Sequence, residues 1–400
     1  MFSSRLPWQL PRNRLSRLLD EKRRAGAELI DLTGSNPTRA GLLYPGAEIL
    51  AALADERLLS YEPSPKGSLQ AREAVAVYCS GRGRHVEPDQ VLLTSSTSEA
   101  YSFLFKLLAD PGDEVLVPRP SYPLFDFLAS LESVAAVPYP LIHEQAREAD
   151  GGGWKIDLEG LVRAAGPRAK AIVIVNPNNP TGSFLKRPEL ERILRFSAQR
   201  GLPIISDEVF SDYGFGEDQR RATSLAGIEQ TLVFCLSGLS KVAGLPQAKL
   251  AWIVISGPSP RRLEAGEQLE LIADTYLSVG APVQHAAPRL LAVRREIQPQ
   301  ILGRCRGNLE ALRCLVAGHP ACGLLEPEGG WYATLRMPAA LGEEDWALTL
   351  LERDKVLTQP GYFYDFEEEP LLVISLLTPK ESFLEGARRL LARARATARP

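Results

Sequence analysis

Leu236-Ser237-Gly238-Leu239-Ser240-Lys241 closes an apolar run, Thr231–Leu236, with a turn of small residues that delivers one lysine. A lysine presented at a strand end is a candidate Schiff-base nucleophile. A lone lysine in a polar turn is ordinarily only a surface charge, so its neighbours in the sequence decide the reading. Two upstream stretches have the same form. Asn176-Pro177-Asn178-Asn179-Pro180-Thr181-Gly182 follows the apolar run Ala171–Val175, and Ser206-Asp207-Glu208-Val209 follows Leu202–Ile205. Three chemistry-bearing turns thus stand in order, each at the end of an apolar run.

Working outward, further short apolar runs occur at Val91–Thr94, Glu114–Val117, Val134–Val137 and Leu250–Ile255. With the three above they make seven expected strands. Most are solid rather than alternating, as in a largely parallel sheet covered on both faces by helices. Ligands of such sheets bind beyond the carboxyl ends of the strands, which is where the three turns lie. Ala100, Phe103, Leu104, Leu107 and Leu108 form one apolar face of a helix after Val91–Thr94. Ser96 with Glu99 gives it a capping-box start. Free N–H groups and partial positive charge there suit a phosphate. Gly151-Gly152-Gly153 reads as a loop and matches no nucleotide motif. Helices are expected over Arg12–Ala27, Leu69–Tyr78, Leu263–Val279, Val283–Leu291, Arg294–Ala317 and Leu348–Lys355. Strands are expected at Leu29–Leu32, near Trp331–Leu335 and at Leu371–Ser375.

Composition narrows the class. The 400 residues are 45% hydrophobic and 24% charged, with neither a disordered nor a membrane bias. Lys+Arg 46 against Asp+Glu 49 leaves a net charge of −3, so no general attraction to nucleic acid or anionic membrane is expected. Met1-Phe2-Ser3-Ser4-Arg5-Leu6-Pro7-Trp8 has no apolar signal core, and no run is long enough to span a bilayer. A cytoplasmic protein is the expectation. Cysteines 79, 235, 305, 314 and 322 are odd in number and contain no Cys-x-x-Cys pair. Neither a disulfide framework nor a metal site is expected.

The three turns, in this order and at about these spacings, resemble those of the fold-type I pyridoxal-phosphate (PLP) enzymes, in particular the class I/II aminotransferases. The likeness extends over nearly the whole chain. It implies an α/β, PLP-dependent transferase-like fold, with a seven-stranded, mostly parallel sheet between helices and a smaller α+β domain. The implied division is residues 1–45 as N-terminal arm and part of the small domain, 46–280 as large PLP-binding domain, and 281–400 as small domain. It implies an aminotransferase moving an amino group between an amino donor and a 2-oxo acid through a Lys241 Schiff base, in a homodimer. Asp207 would partner the pyridine nitrogen and Asn179 the ring's 3′ oxygen. Tyr122 would stack on the ring. Ser96, Thr97, Ser237, Ser240 and Lys249 would hold the phosphate, Tyr61 would reach the partner's phosphate, and Gly34 would lie over the substrate.

Four positions depart from that pattern. Phe210 stands where a tyrosine usually serves the 3′ oxygen, so the Schiff base is expected to protonate more easily. Gly238 replaces a phosphate-binding serine. Lys249 replaces an arginine and loses its planar fork. Val373 replaces the arginine that clamps the substrate carboxylate, leaving Arg39, Arg119 or Arg336 as substitutes, or a substrate that is not a standard α-amino acid. Another PLP-dependent reaction (lyase, decarboxylase or racemase) or a PLP-fold binding protein with weak catalysis stay open on these residues.

Overall fold

The computed structural model describes residues 2–9, 12–81, 85–144, 152–319, 321–367 and 370–397. A two-residue strand, β1 (Ile30–Asp31), follows a helix over Arg14–Arg24 whose first turn is capped by Asn13. The main sheet comprises β2 (Val91–Thr94), β3 (Glu114–Arg119), β4 (Ala135–Glu144), β5 (Gly153–Ile156), β6 (Ala169–Val175), β7 (Ile204–Asp207), β8 (Val233–Gly238) and β9 (Ala251–Ser256). Their order is β2-β9-β8-β7-β6-β3-β4-β5. Neighbours among β4, β3, β6, β7 and β8 run parallel, whereas β9 and β5 are antiparallel to their neighbours.

The seven expected strands are all present, and β5 makes the sheet eight-stranded. The triple glycine read as a loop supplies its start. Gly151 lies outside the described residues, and Gly153 opens β5, which pairs with the end of β4. Only four residues long, β5 is held by His143–Trp154 ring contact and a Lys155–Glu144 ion pair.

Successive residues of the central strands point to opposite faces. Leu116, Ile172, Ile174, Ile204 and Val233 enter one core with Val75, Ile193 and Ala286. Val115, Val117, Val173, Ile205, Phe234 and Leu236 enter another with Phe103, Leu104 and Leu269. Each fully buried side chain of this kind contributes about 1.5–3 kcal/mol, which explains why solid apolar runs mark this sheet.

A second, antiparallel sheet joins β10 (Gly323–Leu325), β11 (Tyr332–Arg336), β13 (Gln359–Pro360) and β14 (Leu371–Ser375) in the order β10-β11-β14-β13. Between them, β12 (Val356–Leu357) pairs in parallel with β1, tying the N-terminal segment to this end of the chain. Helices expected over Val283–Leu291 and Arg294–Ala317 are one continuous helix, Ala281–Ala317. Its first half buries Val283, Ala286, Leu290 and Leu291 with the main sheet. Its second half buries Val293, Ile297, Ile301, Leu309 and Leu312 with the small sheet. Packing on both cores carries the helix through Pro288 and Pro299. The expected Leu348–Lys355 helix is instead Glu343–Thr349 followed by a wide turn, Leu350–Asp354, that ends at left-handed Lys355. Among the described residues, no helix is long and apolar enough to cross a membrane.

Candidate active site

At the carboxyl end of β8, Gly238 leads into the single helical turn Leu239–Val242 that carries Lys241. A Cβ on Gly238 would lie 2.9 Å from the Ala251 Cβ and 3.0 Å from the Leu250 carbonyl oxygen. The close approach of β9 therefore explains the missing serine: there is no room for one without moving a backbone. The Lys241 Nζ sits 4.7 Å from the ring centre of Trp331 and 5.3 Å from that of Phe210. Burial lowers its pKa to about 8, and the nearby Asp207 charge partly opposes the shift. The Tyr213 hydroxyl donates to the Lys241 carbonyl at 2.5 Å, and the Gln298 amide donates to the Val242 carbonyl at 2.7 Å. The turn is thereby fixed from two sides.

Asp207 ends β7, in register with Leu236 on β8. Its carboxylate is only 8% exposed, as part of a residue whose two oxygens each receive one donor. The Val209 N–H reaches Oδ1 at 3.2 Å and the Tyr101 hydroxyl reaches Oδ2 at 3.1 Å. Burial pushes its pKa up to about 6, against the pull of both hydrogen bonds and of Lys241. Sequence reasoning missed Tyr101. The available signal was its place four residues after Thr97, one turn along the same helix face.

The asparagine turn sorts itself by hydrogen bonds. Asn176 donates to the Ala222 carbonyl and accepts from the Leu185 N–H. Asn178 donates to the Pro120 carbonyl and Thr181 hydroxyl and accepts from Ser121. Asn179 is different: its Oδ1 is buried with no hydrogen-bond partner among the described residues, and so is the Ser237 hydroxyl. Tyr122, half-buried, has its phenol pKa raised by burial and then by the Asp207 charge, so it faces the same carboxylate.

Ser96 caps the helix Thr97–Leu108, its Oγ accepting the Glu99 N–H at 3.1 Å. The capping box is not reciprocal as expected. The Glu99 carboxylate takes the Ser95 N–H and the Ser278 hydroxyl, each at 2.7 Å, instead of the Ser96 N–H. The N–H groups of Thr97 and Ser98 have no acceptor within the helix, as at any helix start. Lys249 is exposed and left-handed, with φ 54°, and lines a cavity of about 340 Å³ together with Ser95 and Ser278. Ser240 lies in the first turn of the Lys241 helix.

Tyr61 stands apart, 80% exposed on a loop pinned where the Leu93 N–H meets the Lys66 carbonyl. Gly34 follows β1. Its carbonyl accepts from the Ser375 hydroxyl at 2.6 Å, and a Cβ there would meet nothing within 4 Å. Val373 on β14 is flanked by Thr334 and Gln359. Of the three substitute arginines, Arg119 pairs with Asp126 and Asp365, Arg39 is exposed in the turn after Asn36, and Arg336 ends β11 opposite Gly323 and Leu371. Tyr332, bonded to Ser35, and Tyr364, bonded to Gln359, add two phenols that sequence reasoning did not single out.

The pattern of aminotransferase class I and II matches residues 29–389. The chain belongs to this family. It is 28% identical to the glutamate-pyruvate aminotransferase AlaA of Haemophilus influenzae, over 92% of this chain and 91% of that one. It is 29% identical to the alanine aminotransferase of Mycobacterium tuberculosis, over 84% and 78%. The human tyrosine aminotransferase is 26% identical, over 90% and 80%. The alanine aminotransferase of Pyrococcus furiosus superposes with a TM-score of 0.87 over 99% of this chain and all of that one, at 24% identity. That last likeness speaks to fold alone. The aminotransferase is PLP-dependent and acts on an amino donor and a 2-oxo acid. The residues present fit the cofactor: Ser237 Oγ and Asn179 Oδ1 are buried without a hydrogen-bond partner among the described residues, which leaves a hydroxyl for a phosphate and a side-chain amide whose N–H can donate to a ring oxygen. Among the described residues, no group of three His, Cys, Asp or Glu side chains could hold a metal ion.

Proposed function

We propose that transamination in this protein is carried by Lys241 and Asp207, with the residues named from sequence around them. The observation that supports this is a single one. Side chains at the ends of two adjacent strands, β7 and β8, lie close enough for the Asp207 charge to act on the Lys241 amine. When bound, PLP supplies an aldehyde that bonds amines and a ring that takes up the negative charge left on the substrate carbon. Lys241 is the amine of this chain for that aldehyde, and its pKa of about 8 leaves about one molecule in ten neutral at pH 7. With cofactor and donor bound, the same amine would take the proton from the donor carbon and return it at the carbon of the cofactor's aldehyde. Asp207 keeps a proton on the ring nitrogen by opposite-charge stabilisation.

Asn179 serves the ring hydroxyl, and the hydroxyls of Ser237 and Ser240 serve the phosphate with Ser96, Thr97 and Lys249. Tyr122 holds the ring plane, and Gly34 leaves room above the substrate. Tyr61 acts in the site of a second copy, making the working unit a homodimer in the cytoplasm. The division at 1–45, 46–280 and 281–400 is proposed with the last boundary at the start of the helix Ala281–Ala317, which feeds both cores.

The relatives' names make alanine, glutamate and tyrosine, with pyruvate and 2-oxoglutarate, the first substrates to test. A panel of amino acids and simple amines is mixed with PLP-loaded enzyme and each oxo acid, and nitrogen is followed by chromatography. Transfer of the amino group to the oxo acid, without free ammonia, is the expected result. Release of ammonia or carbon dioxide in place of transfer would overturn the reading in favour of lyase or decarboxylase chemistry.

A further inference from the structure

We propose that Tyr101 is a positioning residue for Asp207: its buried hydroxyl, brought from the helix Thr97–Leu108, orients the carboxylate and holds it charged beneath the cofactor ring. The inference rests on the assignment of Asp207 to the ring nitrogen. Three observations carry it. The hydroxyl donates to Oδ2 at 3.1 Å, with Tyr101 2% exposed and Asp207 8% exposed, so water does not compete. The phenol ring is wedged between Phe105 and Phe125, at centroid distances of 5.8 and 5.4 Å, which fixes where the hydroxyl points. Oδ1 meanwhile takes only the Val209 N–H among the described residues. A carboxylate has about four lone-pair sites, so two donors orient it and still leave it an acceptor for a third.

The electrostatic balance around Asp207 is close. Lys241 and the two hydrogen bonds favour the anion, and burial with Glu208 disfavours it. Tyr122 faces it as a neutral phenol, raised above its usual pKa. Tyr101 itself is held far above the ordinary phenol range by burial, so it stays a donor at every working pH. Removing one charge-assisted hydrogen bond from this balance tips Asp207 toward the protonated acid, which cannot stabilise a ring cation. There is also a geometric consequence. Tyr101 lies one turn, about 6 Å along the axis, beyond the helix start proposed for the phosphate. One helix then sets both the phosphate end and, through Asp207, the nitrogen end of the site.

The test is PLP affinity, measured by fluorescence titration across pH, for the wild type, Tyr101→Phe, Asp207→Asn and the double variant. Tyr101→Phe is expected to weaken binding about tenfold or more at pH 7.5, and to move the acid limb of the affinity curve up by about one pH unit. In the Asp207→Asn background the same change is expected to cost less than about twofold, because no charge is left to stabilise. An equal loss in both backgrounds would make Tyr101 a packing residue and overturn the proposal. An unchanged Tyr101→Phe beside a strongly weakened Asp207→Asn would sink the role of Tyr101 alone, whereas an unaltered Asp207→Asn would remove the Asp207 assignment beneath it. If Tyr101→Phe does not fold, 3-fluorotyrosine at position 101 keeps the ring and strengthens the donor. It is expected to move the acid limb downward, and no movement would contradict the proposal.

Discussion

Asp207 stands at a place where burial resists charge. Its pKa rises from an ordinary 3.8 to about 6 on folding. The folded chain therefore binds a proton more tightly than the unfolded one. The stability this contributes is full below about pH 4 and is lost as the pH rises through about 6. At pH 7.5 the cofactor-free protein carries a penalty of about 3 kcal/mol at most. Asp207→Asn removes the charge and keeps the shape. In scanning calorimetry the cofactor-free variant is expected to melt about 2–5 °C above the cofactor-free wild type at pH 7.5, with the gap closing near pH 4. Its turnover is expected to fall about 10²-fold or more. A lower melting temperature for the variant at pH 7.5 would show that the carboxylate is not held at a cost.

At the scale of elements, the sequence was most legible where one kind of force dominates. Seven apolar runs, most of them solid, became seven strands of the main sheet, and Leu371–Ser375 appeared with the expected bounds. Burial on both faces leaves a direct mark on composition. The fourth-order features were less visible. Strand β5 has four residues and draws its pairing from β4, so it has too little pattern of its own. The helix Ala281–Ala317 changes its buried face from one core to another, and a local reading takes that change for a break. The turns that carry Lys241, Asp207 and Asn179 were legible as strand ends because each follows an apolar run. Tyr101 was not, because its role depends on which residue the second turn of a helix meets across 106 positions of sequence. The constraint on Gly238 comes from β9, on the neighbouring strand, and had no signal in the turn itself.

At the scale of the whole molecule, two cores share one long helix, and Lys241 lies under Phe210 and Trp331, which belong to the core of the small sheet. The Lys241 turn therefore packs into one core through Leu239 and Val242 while its amine faces the other. Leu43, Leu50, Leu59 and Val77 are each at least 70% exposed, as is Tyr61. Exposed apolar surface on this scale marks a contact with another chain. Sedimentation of the PLP-loaded protein at micromolar concentration is expected to give twice the chain mass. Tyr61→Phe is expected to leave that mass unchanged while weakening PLP binding. A monomer with full cofactor occupancy would contradict the shared site.

The central claim is a covalent one, and chemistry can read it directly. The PLP-loaded protein is reduced with borohydride, digested, and its peptides are sequenced by mass spectrometry. The account requires a pyridoxyl group on Lys241 and on no other lysine, and its disappearance in Lys241→Ala. A label on Lys249 or elsewhere, or a label that survives the substitution, would contradict it.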